Sequence, residues 1–492
     1  MKKLVTLAVL SVFLVFSTCA ATLGAEPFER GPYSGAPSAD SVVISWVVSP
    51  PLPARLEISP IDAEAPQAAF PRVIDVAAPA EDADGQVDTV VDGLAPATAY
   101  VYRVIVQSGS EIATSPIGRF ETAPAPGQVV TFVVLSDTQW QWEGTNRLAV
   151  IGDAVAFDAA RSGGFDFILH AGDLVETPNA AYWEPWFDSF ETMLLAAPFV
   201  PVLGNHEKNS VSYYKAFAHP PGAGQGDERW WALHWGDVVV VGLDTSVSRA
   251  DRILEQQAYA RAELSGPERW KFVIVHHPIY SSDAYHGSGY GYELIYYPIF
   301  VEAGVDIVFN GHAHNYERIE EDGIVYLVLG GGGAVPRELA LTRVAGSIVA
   351  IENHNFYARV AATKDSVSVD IVSVAEATET TFTPTPGELL DSFVLAASAQ
   401  PAASPIAESP VPSATQSPSA TLAWTVATQT ESEAALEQIP HEQAPQGLVP
   451  QELAPQEPAT EERATSMSSL AGILALLALL AIAAWAILRA GR

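Results

Sequence analysis

The sequence predicts an α/β domain preceded by a small all-β sandwich. Seven apolar runs between Gln128 and Leu395 (VTFVVLSD, FDFILHAGD, APFVPVLGN, DVVVVGLD, KFVIVHHP, VDIVFNGH and IVYLVLGG) recur between longer amphipathic stretches, the pattern of strands alternating with helices. Ahead of them, residues 26–125 carry short alternating runs separated by Pro, Gly and Asp turns. With 492 residues, 48% of them hydrophobic, the chain can build one large core and a second, smaller one.

The all-β part rests on segments such as SVVISWVV (41–48) and AYVYRVIV (99–106), whose period-two pattern suits half-buried antiparallel strands. Trp46 is expected to anchor the core between two such sheets rather than to contact a ligand. The α/β part is expected over residues 128–395. Six of its seven apolar runs lead into a polar or charged group at a turn, and the seventh ends on Gly-Gly. Ligands of open α/β sheets gather beyond the carboxyl ends of the strands, so these six turns are where chemistry is expected.

The remaining segments read as appendages. Lys2 and Lys3, the apolar run Leu4 to Phe16 and the small residues around Cys19 to Ala21 have the layout of a secretory signal over residues 1–25. Residues 396–466 shift to Pro, Ser, Thr, Ala, Gln and Glu, which lack the apolar periodicity to offset ordering entropy and predict a disordered, extended stalk. Met467 to Leu488 is apolar almost throughout and is expected to form a transmembrane helix. Arg489 and Arg492 follow it, which assigns a short cytoplasmic tail, residues 489–492, and places the folded part at the cell surface on the extracytoplasmic side.

The formal charge of −33, from 58 acidic against 25 basic side chains, opposes binding to polyanions and excludes nucleic acid polymers as partners. Cys19 is the single cysteine, so neither an internal disulfide nor a Cys-based zinc site is available. No N-x-Ser/Thr acceptor is present.

The strand-end turns hold Asp137 in SDTQ, Asp173 in AGDLVE, Asn205 and His206 in GNHE, His276 in HHP, and His312 and His314 in GHAHNYER. A carboxylate able to bridge, several imidazoles and an amide oxygen suit a pair of borderline divalent or trivalent ions. Two such ions can orient a phosphate, lower the pKa of a water between them and stabilise attacking and leaving oxygens. Each motif alone is commonplace; five in this order are not.

That order, D-x-x, GD, GNHE, H-x-P, GHxH, resembles the calcineurin-like metallophosphoesterase superfamily. RGPY, VDGLAPATAYVYRV and GRFETAP resemble the fibronectin type III-like domain that precedes the catalytic domain of purple acid phosphatases. The resemblance implies a four-layer α/β/β/α metallophosphoesterase sandwich with a dimetal site of Fe, Mn or Zn at the strand ends. It implies Asp137, Asp173 and His314 on the first ion, and Asp173, Asn205, His276 and His312 on the second, with Asp173 bridging. His206 would bind the phosphate and assist protonation of the leaving group.

Two departures alter the expected chemistry. The tyrosine ligand of purple acid phosphatases, in GDxxY, is Glu176 here, so no tyrosinate colour is expected. The His found two residues after the first Asp in other members is Gln139. Either Gln139 or Glu176 could complete the first ion's shell, or neither. Gln139 is preferred because D-x-Q keeps both ligands on one turn. His286 stands where purple acid phosphatases carry the second of two paired histidines, and is expected to bind phosphate or act as an acid; the first is Tyr285. His277 is expected to support its neighbour His276. Trp140 and Trp142 either stack on an aromatic leaving group or pack in the core. Gly330–Gly333 lacks the sequel of a P-loop and reads as a turn beside the cleft.

The expected function is extracytoplasmic hydrolysis of a small phosphomonoester by a metal-activated water. Hydrolysis of small phosphodiesters or nucleotides is the near alternative. A non-catalytic surface binding module is the alternative from another class.

Overall fold

The computed structural model describes residues 28–397 apart from 62–69, 80–84, 109, 140–145, 225–227, 248 and 289–290. The expected signal segment, the tail at 489–492, Trp140 and Trp142 lie outside the described residues, as does the expected stalk from residue 398 onward. Ala396, assigned to the stalk from sequence, instead ends the last strand, and Ala397 N donates to Asp365 O at 2.8 Å.

The all-β region contains β1 (Phe28–Gly35), β2 (Val42–Val48), β3 (Ala54–Pro60), β4 (Arg72–Val76), β5 (Gln86–Val91), β6 (Ala99–Ser108), β7 (Glu111–Thr114) and β8 (Gly118–Glu121). One antiparallel sheet has the order β1-β2-β5; a second has the order β4-β3-β6-β7, with β8 also on β6. Ile44, Trp46, Leu56, Tyr102 and Phe120 from the two sheets share one buried cluster. Trp46 is the core anchor its pattern predicts, with no exposed surface.

Two larger sheets follow. The first contains β9 (Val130–Leu135), β10 (Phe167–His170), β11 (Phe199–Pro201), β20 (His354–Ala362), β21 (Ser366–Ala377), β22 (Phe382–Pro384) and β23 (Leu389–Ala396). Its order is β11-β10-β9-β20-β21-β22, with β23 on β21. Strands β9, β10 and β11 are parallel, and β20 pairs antiparallel with β9. The second contains β12 (Gly222–Ala223), β13 (Trp230–Trp235), β14 (Val238–Gly242), β15 (Trp270–Ile274), β16 (Ile307–Asn310), β17 (Tyr316–Glu321), β18 (Ile324–Leu329) and β19 (Ser347–Ile351). Its order is β12-β13-β14-β15-β16-β18-β17-β19, and β14, β15, β16 and β18 run parallel.

The apolar runs are near-continuous because these strands are buried on both faces. Val130, Phe132 and Val134 of β9 meet Val238, Val240 and Phe272 of the other sheet in one cluster. Val133 and Leu135 face the opposite way, onto helices α1 (Arg147–Ser162) and α2 (Ala180–Ala196). Val239 and Val241 of β14 likewise turn away from the first sheet, onto α4 (Ala250–Leu264) and α6 (Tyr297–Ala303); the short helices α3 (Val211–Ala216) and α5 (Tyr292–Ile295) lie in connecting segments. Phe132 lies 5.9 Å from Phe272 and 6.1 Å from Phe309, ring to ring, which ties the two sheets together. Helix α1 starts where the Asn146 side chain accepts from Ala149 N and stops at Gly163, in the left-handed region at φ 93°.

The transmembrane helix expected at 467–488 is corrected here. No helix among the described residues is long and apolar enough to cross a membrane, and residues 467–488 lie outside them. A run of apolar side chains satisfies the length criterion for a span without requiring that a spanning helix form. The membrane anchor therefore plays no part in the function proposed below.

Candidate metal centre

The parallel strands of both sheets end on the same side, and their carboxyl ends supply the site. Asp137 follows β9, Asp173 follows β10, Asn205 and His206 lie beyond β11, His276 follows β15, and His312 and His314 lie between β16 and β17. All seven of the apolar runs read from sequence are strands: β9, β10, β11, β14, β15, β16 and β18.

Three of these residues have left-handed backbones, with φ of 59° at Asp137, 57° at Asp173 and 69° at His312. Such conformations cost on the order of 1–3 kcal/mol per residue and persist only where neighbours hold them. Here Asp137 N donates to Gly172 O at 3.1 Å, Thr138 N to Asp173 O at 2.9 Å, and His312 N to Asp137 Oδ2 at 2.8 Å. The glycines before Asn205 and His312 answer to close approach. A Cβ on Gly204 would collide with the Asp173 carboxylate, and one on Gly311 would collide with Ser136 Oγ.

The imidazoles are aimed by their outer nitrogens. His276 Nδ1 lies 2.8 Å from Ala171 O, so it carries the proton and turns Nε2 inward. That Nε2 is 3.0 Å from Asn205 Oδ1 and 3.1 Å from Asp173 Oδ2. His314 repeats the device: Nδ1 is 2.9 Å from Val335 O, and Nε2 is 3.4 Å from Asp137 Oδ1 and 3.2 Å from the Gln139 amide nitrogen. Atoms of Asp137, Asp173 and His276 lie within 4.8 Å of one another, as do those of His276, His277 and His312.

The charges reflect this crowding. Burial alone would raise the Asp137 carboxyl, yet the hydrogen bond and charge of His314, with His276 and His312, hold it below its ordinary range. Burial would lower His276, but the charge and hydrogen bond of Asp173 push it up to about 9. His277 falls to about 3, through burial and then the charge of His276. Burial lowers His206 too, but Asp173, the Glu176 carbonyl and the charges of Glu176 and Glu207 leave it above its ordinary value.

The residues present fit a pair of metal ions. A neutral His276 would point its Nε2 lone pair at two oxygens, an arrangement that repels unless a cation or a proton stands among them. Gln139 is 5% exposed, and its Oε1 hydrogen-bonds to nothing among the described residues. Exchanging the amide atoms would turn that oxygen toward His314 Nε2. Glu176 is further out, its side chain 39% exposed and its Oε2 3.5 Å from His206 Nδ1. His206 N donates to Asp173 Oδ1 at 2.9 Å, its Nδ1 lies 2.9 Å from Glu176 O, and its Nε2 is 3.8 Å from Asp173 Oδ2.

His286 reaches the site from the loop after β15, its ring centroid 4.0 Å from that of His312. Arg337 donates to His286 Nε2, and burial and then the Arg337 charge lower the imidazole pKa. His277 Nδ1 lies 2.7 Å from Thr245 Oγ1, just past β14, and its ring packs 4.5 Å from His312. Gly330–Gly333 backs the first turn directly, with Gly332 N donating to Ser136 O at 2.9 Å.

Three supporting groups were not legible as such in the sequence. Glu207 is buried and accepts from the backbone N–H groups of Asp173, Gly204, Leu174 and Val175 at 2.8 to 3.2 Å. It closes the GNHE motif, which was the available signal. Thr138 Oγ1 accepts from Trp186 Nε1 at 2.9 Å and contacts His170 Nε2 at 3.0 Å, bracing the first turn from behind. Arg337 lies on a loop with no motif at all.

Residues 130–316 match the family model of the calcineurin-like phosphoesterases, and residues 15–124 match that of the PhoD-like phosphatase N-terminal domain. Purple acid phosphatase 1 of Ipomoea batatas is 29% identical over 256 residues, 44% of this chain and 52% of that protein. Purple acid phosphatase 15 of Arabidopsis thaliana is 26% identical over 285 residues, 49% of this chain and 52% of that protein. The chain thus spans about half the length of the curated relatives it matches. A purple acid phosphatase from yellow lupin (Lupinus luteus) superposes with a TM-score of 0.62 at 18% identity, covering 74% of each chain. The structure of PhoD superposes with a TM-score of 0.59 at 16% identity, covering 77% of this chain and 92% of that one, so both share the fold. The chain therefore carries a calcineurin-like phosphoesterase domain behind a PhoD-like N-terminal domain, with purple acid phosphatases among its homologues.

Proposed function

We propose that this protein hydrolyses small phosphomonoesters at a two-metal centre. The observation that carries the reading is the inward Nε2 of His276, set at hydrogen-bond range from both Asn205 Oδ1 and Asp173 Oδ2 while its Nδ1 is committed to Ala171. Asp137, Asp173, Gln139 and His314 would hold one ion, and Asp173, Asn205, His276 and His312 the other. When bound, the ions supply Lewis acidity toward the phosphoryl oxygens and activate the attacking water.

The remaining work falls to the protein. His206, whose pKa is lowered by burial but raised overall by Asp173 and Glu176, is placed to give a proton to the leaving oxygen. Its Nδ1–H bond to Glu176 O leaves Nε2 as the atom that exchanges the proton. Asp173 accepts the His206 backbone N–H, so ligand and acid are fixed relative to each other. Iron, manganese and zinc all suit this donor set.

The same reading extends to the fold and location. The helices outside each of two apposed sheets support a four-layer α/β/β/α order, and the two antiparallel sheets of residues 28–121 support a fibronectin type III-like sandwich. The leader-like residues 1–25 support export. The test is turnover of 4-nitrophenyl phosphate by the metal-loaded protein. Asp173→Asn is expected to abolish it, and His206→Ala to lower kcat by roughly 10²-fold or more. Full activity in Asp173→Asn would refute the site. A lower kcat/KM for a matched monoester than for the diester would redirect the reading to phosphodiesters.

A further inference from the structure

The cleft over the metal centre, a cavity of about 260 Å³, is lined by Gln139, Glu176, His206, His314 and Arg337 among others. A second cavity of about 480 Å³ is lined by Ala284, Tyr285, Arg337 and Glu338. Arg337 is shared by both and is the sole Lys or Arg among the described lining residues of either. We propose that Arg337 is the anion-binding group of this site, and that Tyr285 and Glu338 form the adjoining subsite for a flat, uncharged leaving group. This rests on the phosphoesterase reading and adds its substrate class.

The backbone makes Arg337 a fixed feature rather than a surface side chain. Arg337 N donates to His314 O at 2.9 Å, so the residue is tethered to a metal-ligand loop. The loop carrying it is joined to the His286 loop by the bridge of Asp283 with Leu339 and by Ala284 N donating to Glu338 O at 3.0 Å and Ala340 N to Ser282 O at 2.7 Å. The guanidinium is then held from two sides. It donates to His286 Nε2, and it lies 5.0 Å from the centre of the Tyr285 ring.

Three consequences follow from that geometry. His286, whose Nε2 accepts from Arg337, acts as a prop that places the guanidinium. A guanidinium offers five donors in a planar fork that matches phosphate oxygens, so Arg337 can turn to an incoming phosphate without being discharged. On its outer side Tyr285, 80% exposed, presents an aromatic surface that no core packing requires. Glu338 in the same cavity disfavours a second anionic group there and accepts from a hydroxyl or amino donor. A phosphomonoester of an aryl alcohol or a nucleoside has this chemistry; a bisphosphate does not.

The test separates this inference from the phosphoesterase reading by measuring binding as well as turnover. Binding of inorganic phosphate to the full-length, metal-loaded protein is measured by calorimetry for the parent, Arg337→Gln and Arg337→Lys. Arg337→Gln is expected to weaken phosphate about tenfold or more, with Arg337→Lys recovering part of the loss. Kinetics then compare 4-nitrophenyl phosphate with glycerol phosphate. Tyr285→Leu is expected to raise the ratio of their KM values severalfold, on the order of the worth of one aromatic contact. Phosphate affinity in Arg337→Gln within twofold of the parent overturns the anion site, as does failure of the parent to bind phosphate. An unchanged KM ratio in Tyr285→Leu overturns the leaving-group subsite. A parent protein that binds phosphate through Arg337 but turns over neither ester leaves the anion site standing and defeats the leaving-group subsite together with the hydrolytic reading.

Discussion

His276 and His314 use one device, a proton committed to a backbone carbonyl that turns the other ring nitrogen toward carboxylate and amide oxygens. At this scale the sequence was informative for the donors and silent on their supports. Asp137, Asp173, Asn205, His276, His312 and His314 announce themselves because each sits in a short motif after an apolar run. Spacing favours Gln139 over Glu176, because D-x-Q keeps both groups on one turn, but both stand within three residues of a candidate ligand. Burial separates them: Gln139 is enclosed beside His314 while Glu176 faces outward onto His206. Gln139→Ala is therefore expected to weaken the first ion by on the order of tenfold or more, measured by metal titration, and Glu176→Ala to change it far less. Equal losses in the two variants would contradict the assignment of Gln139.

Among the elements, the turn between β10 and the segment after it shows how a strained candidate ligand, Asp173, is kept in place. Asp173 is left-handed, and Glu207 accepts N–H groups from both sides of the turn, including that of Asp173 itself. Burial and then the nearby Asp173 charge push the Glu207 carboxyl above its ordinary value. Glu207→Gln keeps the shape but gives up one acceptor oxygen among four donors. We expect it to lower the unfolding free energy by about 1–3 kcal/mol and to weaken metal binding, read by denaturant titration with and without metal. A variant with parental metal affinity would show that the turn holds Asp173 without this carboxylate. The strands feeding the site were legible because burial on both faces leaves uninterrupted apolar runs. Strands β20 and β21 were not among the seven runs, and the pairing of β20 with β9 joins residues more than two hundred positions apart, which no local pattern encodes.

For the whole molecule, the two large sheets are joined by apolar packing and by polar links that include the buried carboxylate of Asp166 and the Arg318–Asp391 ion pair. Asp166, just before β10, accepts from Thr131 N at 2.7 Å in its own sheet and from Trp235 Nε1 at 2.8 Å in the other. Burial raises its pKa from 3.8 to about 6 despite those bonds. Between these values the folded chain keeps a proton that the unfolded chain has released. Stability therefore falls as pH rises through about 4 to 6, by roughly 3 kcal/mol from this group, and its contribution is undiminished only below the unfolded value. Asp166→Asn is expected to flatten that part of the stability–pH curve relative to the parent in denaturant titrations. A parallel pair of curves would exclude Asp166 as the source. The arrangement of the sheets was foreseeable from strand patterning only in class, because uninterrupted apolar runs say that both faces are buried but not against which partner.

The central claim, hydrolysis at a two-metal centre, is most directly tested by titrating metal back into chelated protein while following turnover of 4-nitrophenyl phosphate. The account predicts no turnover in the chelated protein, a rise that saturates at two bound ions per chain, and no recovery in Asp173→Asn at any metal concentration. Turnover that survives complete chelation, or saturates with fewer than one ion bound per chain, would contradict it.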